Sequence, residues 1–207
     1  MVLFTSAQPT AAGQGVLGAI RGASQKTGVD FSYLLKTANR ESALDPQAKA
    51  STSSATGLFQ FIDQTWLQTV KEDGPSLGLS SFADKIKKTS SGRYMVDDAT
   101  ARQTILDMRK DPEISAQMAA AFTRRNHTHL TETLGRQPSA GELYIAHFMG
   151  AGGASDFIRL VADNPDGSAA ATFPQQARAN RSIFFDSSGK ELPAAAVYDK
   201  LVRTFGE

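Results

Sequence analysis

Glu41 stands where the apolar helical spacing of "DFSYLLKTANRES" gives out, and Asp45-Pro46 breaks the helix soon after. A carboxyl group in the last helical turn faces the negative end of the helix macrodipole, which disfavours its charged form and suits it to donating a proton. Arg40, one position earlier, points about 100° around the helix and need not cancel this. A run of small and hydroxyl residues follows, with Ser51, Ser53, Ser54 and Gly57, and then an aromatic-flanked glutamine, Phe59-Gln60-Phe61. Acid–base chemistry is therefore the first expectation for this stretch.

Other chemistries find little support. The chain has no cysteine, which removes disulfides, thiolate metal sites and a thiol nucleophile. Of the three histidines, His127 and His129 are two apart on an expected helix and face different directions, whereas paired helical ligands need a spacing of three or four. No metal or organic cofactor is expected. "SAGELY" does not supply the strained elbow of a serine nucleophile, and "GAGGAS" lacks the lysine and spacing of a phosphate loop.

The elements that must position Glu41 read as helices. Helices are expected over about Gly15–Lys26, from an N-cap at Asp30 through Phe31, Leu34, Leu35 and Ala38 to Glu41, and over "DQTWLQTVKE" from Asp63. Further helices are expected from Asp97, from Pro112 behind an Asp111 cap to Gly135, and over "ELYIAHFM" behind a Ser139/Glu142 capping box. Two more should cover Asp156–Ala162 and "ELPAAAVYDKLVRTF", and the only hairpin expected turns at Ser188-Gly189. Residues 82–96 resist assignment and are read as a mobile insertion. Trp66, on an apolar face with Leu67 and Val70, is read as core.

With 207 residues, 41% hydrophobic and 21% charged, the chain can bury a full core. Its 22 basic and 21 acidic residues leave a net charge of +1, so no nucleic-acid footprint is expected. No stretch is long and apolar enough to span a bilayer. Residues 1–13 are expected to be a flexible segment and 14–207 a single catalytic domain with a C-terminal extension from about 165.

The run Glu41-Ser42-Ala43-Leu44-Asp45-Pro46, followed by Ser51, Ala55, Gly57, Leu58, Phe59 and Gln60, resembles the pattern E-S-x-(aromatic or aliphatic)-[DN]-P…S-x-x-[GS]-A-x-G-L-(M/F)-Q. That is the signature of the soluble-lytic-transglycosylase-like family, here of a bacterial or phage branch. Its spacing differs by about one residue from the commonest form. A second family element, A-Y-N-A-G, corresponds to "AHFMGAGG", which keeps Ala146 and Gly150 but has His147 for tyrosine and Phe148 for asparagine.

The resemblance implies a mainly α fold similar to goose-type lysozyme, with little or no β. It implies cleavage of the β-1,4 MurNAc–GlcNAc bond of peptidoglycan, Glu41 acting first as acid and then as base, with a 1,6-anhydro product. Ser51, Ser53, Gly57, Phe59 and Gln60 are the expected substrate contacts; of Phe59 and Phe61, one is expected to be core, since neighbours on a helix face different ways. Tyr144 and His147, three apart on one helix face, are expected to meet Glu41, with one of them, His147 in the tyrosine's place or else Tyr144 one turn earlier, holding it. The partner is then the glycan strand of peptidoglycan, in a secretion, flagellar or phage assembly, and the setting is the periplasm or envelope, or a virion, with no export signal visible in the chain. Two rivals are a hydrolytic muramidase or chitinase on the same fold and a non-catalytic glycan-binding module.

Overall fold

The computed structural model describes residues 11–206. Contacts group the chain into two compact units, 1–122 and 123–207, and each is described by itself. Helices carry both, and a two-stranded sheet is the one sheet among the described residues. The mainly α expectation therefore holds.

In the first unit, helix α1 (Ala11–Thr27) packs on α2 (Phe31–Ser42). Val16, Ala19, Ile20 and Ala23 of α1 are buried, the three-and-four spacing of one helical stripe. The expected flexible start is covered only in part: 1–10 lie outside the described residues, and Ala11–Gly13 already belong to α1. Asp30 caps α2 by accepting from the Tyr33 amide at 2.7 Å. The buried face of α2 is Tyr33, Leu34, Thr37 and Ala38, rotated from the expected one. Thr37 can be buried because its hydroxyl donates to Tyr33 O at 2.9 Å, while Phe31 stays half-exposed beneath the Arg21 guanidinium.

Helix α3 (Asp63–Glu72) has the expected bounds and carries the centre of this unit's core. Trp66 is fully buried and donates from Nε1 to Ile105 O at 2.7 Å, with Phe61 edge-on at 5.3 Å. After a 3-10 turn (Gly74–Leu77) and the short α4 (Ser80–Ala83), strands β1 (Lys87–Lys88) and β2 (Tyr94–Met95) pair antiparallel. Residues 82–96 are thus no loose insertion. Ile86 and Tyr94 are buried, and the Gln64 side chain takes both backbone groups of Tyr94, donating to its O at 2.9 Å and accepting from its N at 3.0 Å. The Tyr94 hydroxyl also donates to Glu72. Helix α5 (Ala99–Asp107) and the start of α6 (Pro112–Leu134) complete the unit.

The second unit takes the rest of α6, then α7 (Ala140–Asp163), α8 (Ala169–Thr172), α9 (Pro174–Ala179), α10 (Arg181–Phe184) and α11 (Ala194–Val202). Ser139 and Glu142 form the expected capping box at the start of α7. The helices expected over "ELYIAHFM" and Asp156–Ala162 meet in a kink within the glycine-rich stretch. Only Gly150 leaves helical geometry, at φ 78° and ψ 160°, a region open essentially to glycine, and the helix resumes at once. Helix α11 packs on α7, and the Ser188-Gly189 turn is present but closed by a single bridge, Phe185 to Glu191.

Candidate active site

Glu41 is half-buried in the last turn of α2, where the sequence puts it. The chain leaves the helix through two left-handed residues, Ala43 at φ 53° and Leu44 at φ 66°. The Ala43 amide returns to the free carbonyls of Ala38 and Asn39, which closes the helix end without a glycine. Asp45 then serves the turn: its Oδ1 accepts from Gln47 N at 2.8 Å.

The glutamine-bearing loop is tied to this helix end. Ser42 Oγ lies 3.1 Å from Ala38 O in its own helix and 2.9 Å from Leu58 O, so the residue after Glu41 holds the loop that ends in Gln60. Lys49, Thr56 and Phe61 form two isolated antiparallel bridges, and Gly57 N donates to Ala48 O at 2.8 Å. Gln60 adopts φ 48°, and its Nε2 donates to Gly57 O at 2.9 Å and Ala48 O at 3.2 Å. All three non-glycine residues with positive φ among the described residues fall between 43 and 60. Such backbone is held only where its surroundings over-determine it, and it concentrates at functional sites.

Arg109 does the holding. It is 6% exposed, and its Nη1 donates to Ser54 O at 2.8 Å and Phe61 O at 2.9 Å and pairs with Asp63 at 3.0 Å. Burial lowers its affinity for the proton, and Asp63 works against that loss. Gly57 lies against the same residue: a Cβ there would sit 2.0 Å from Arg109 O. Glycine is required at 57 by this close approach and by φ 81° together.

Residues 18–159 match the family model described as Transglycosylase SLT domain. The chain belongs to this SLT family. The match runs from α1 into α7 and takes in Glu41, the loop and "AHFMG". Lytic-transglycosylase-type cleavage of glycan is the activity that goes with the domain, with peptidoglycan as its substrate. No helix of the described residues is long and apolar enough to cross a membrane.

Within the SLT domain the expected contacts separate by accessibility. Ser51 and Ser53 are exposed, although Ser53 Oγ accepts from Ala55 N at 3.2 Å and so supports the loop. Ser54 likewise accepts from Asp63 N at 3.1 Å and caps α3 from across the loop. Gln60 is half-buried, and with its amide nitrogen engaged its Oε1 is left to accept from a ligand. Phe59 has to be corrected. It is fully buried, as is Phe61 at 3% exposure, so neither ring has a face to offer a sugar. The one-in, one-out argument assumed a helix, whereas both lie in a tight non-helical turn.

Tyr144 and His147 belong to the second unit. Their rings stack at 6.0 Å and 21°, and Tyr144 also stacks on Phe205 at 5.1 Å. Tyr144 is buried and His147 half-exposed. Among the described residues no group of three or more His, Asp or Glu side chains is arranged to hold a metal ion. Sequence reasoning missed Arg109 and Asp63. Arg109 sits in "LDMRK", where an arginine among charged neighbours reads as a solvated helix end, and no local signal shows that it turns inward.

Proposed function

We propose that this SLT-family chain cleaves the β-1,4 bond between MurNAc and GlcNAc in peptidoglycan without water, leaving 1,6-anhydroMurNAc ends. What carries the reading is Glu41 at the close of α2, half-accessible and joined through Ser42 to the Gly57–Gln60 loop. In its acid form Glu41 protonates the glycosidic oxygen as the bond to C1 breaks and charge builds on the sugar ring. The resulting carboxylate then takes the proton from the C6 hydroxyl of MurNAc as that oxygen bonds to C1. Glu41 ends as it began, protonated, and no water is consumed.

Gln60 Oε1 and the exposed Ser51 hydroxyl are the proposed contacts to the saccharide, and Gly57 shapes the loop that presents them. Phe59 takes no part beyond packing. For Tyr144 and His147 the proposal rests on the motif, and it casts them as positioning residues. The work is done in the cell envelope, where the substrate lies.

Cleavage in ¹⁸O-labelled water tests the reaction type. Transglycosylation leaves the released chain ends unlabelled. A heavy oxygen at the new reducing end would instead make the enzyme a hydrolytic muramidase.

A further inference from the structure

The loop that presents Gln60 has few bonds of its own. Between 54 and 61 its backbone closes on itself through Gln60 N to Gly57 O at 3.1 Å and Thr56 N to Phe61 O at 3.3 Å, the second longer than a typical amide bond. Against these stands Gln60 at φ 48°, a torsion that a non-glycine residue keeps only where its surroundings impose it. Much of that constraint comes from outside the loop.

Arg109 Nη1 gives its two hydrogens to Ser54 O at 2.8 Å and Phe61 O at 2.9 Å, one on each side of Gly57 and Gln60. Nε donates to Leu106 O at 2.8 Å, which fixes the direction of the guanidinium. Asp63 completes the grip. Its Oδ1 lies 3.0 Å from Arg109, its Oδ2 accepts from Arg102 at 2.7 Å, and its amide donates to Ser54 Oγ at 3.1 Å. Ser54 is thus tied to both members of the pair. Arg109 is buried, so bulk water neither screens its charge nor replaces a lost partner. Its influence on a saccharide has to pass through the loop.

We infer that the Arg109–Asp63 pair positions Gln60 and thereby sets the affinity for the glycan strand rather than the rate of the chemical step. The inference rests on the saccharide contact proposed for Gln60. A loop released from Arg109 spreads over several conformations, and the apparent affinity falls with the fraction that still binds. Glu41 is spared, because the end of α2 is closed by the Ala43 amide without help from the loop. A strand that does bind is therefore cleaved at its ordinary rate.

Two variants test it: Arg109→Lys keeps the charge and loses the planar fork, while Asp63→Asn keeps the shape and loses the charge. Each should raise KM for glycan strands about tenfold and leave kcat within about twofold. A role in folding alone gives the opposite split, since fewer folded molecules lower the apparent kcat at unchanged KM. Binding is also read without turnover, by titrating a peptide-free GlcNAc–MurNAc tetrasaccharide into each variant in a Glu41→Gln background. The Trp66 indole N–H, bonded to Ile105 O, reports whether the core is intact. About tenfold weaker binding with the indole resonance unmoved is the expected result. Wild-type affinity in both variants, or activity that falls with the indole signal at unchanged KM, would overturn the inference. Heavy oxygen in the chain ends would sink the proposed reaction and leave the titration to judge the pair alone.

Discussion

Gly57 joins the strained loop to its anchor, so it is where the smallest change should tell most. A methyl group there meets Arg109 O at 2.0 Å, and backbone cannot give way as a flexible side-chain tip can. Gly57→Ala is expected to lower stability by about 3 kcal/mol and to displace Gln60, which equilibrium denaturation and the cleavage rate would both register. A variant as stable and active as wild type would mean that the loop is not pinned by Arg109. His147→Phe should slow cleavage and leave the unfolding midpoint near that of the wild type, since the ring is only half-buried. An unchanged rate would return His147 to a packing role.

Helix α7 owes its start to a charge held under cover. Glu142 is 2% exposed; burial pushes its carboxyl up, but the Arg136 guanidinium, at 2.5 Å and 2.8 Å, and the Ser139 amide outweigh this and hold it below its ordinary value of 4.5. A carboxyl whose pKa is lower in the folded than in the unfolded state contributes stability above the unfolded value and loses it as pH falls through the folded one. Glu142→Gln should therefore cost about 1–3 kcal/mol at pH 7, and the difference from wild type should shrink below pH 4.5. A pH-independent difference would assign the effect to shape alone. This capping box was legible because both partners lie within one turn, as were the Asp30 cap and the bounds of α3. Local chemistry decides such features. The single kink at Gly150 and the anchoring of the β1–β2 hairpin were not legible, because they depend on a backbone torsion and on a glutamine thirty positions away in sequence.

At the scale of the whole molecule, fold class and family were both readable, since the E-S…G-L-F-Q order is local and the family match confirms the kinship. The support of the site was not. Arg109 reaches Ser54, Phe61 and Asp63 from a remote helix end, and only the fold brings these together. The same long-range packing buries Phe59, which the motif alone offered to a sugar.

The central claim is that Glu41 supplies the proton and takes one back. Mass spectrometry of fragments released from purified sacculi by wild type and by Glu41→Gln tests it directly. Anhydro-ended fragments from wild type and none from a folded Glu41→Gln protein are the expected result, because the amide keeps the shape and has no proton to transfer. Substantial release of the same fragments by Glu41→Gln would contradict the account and send the search for the acid elsewhere.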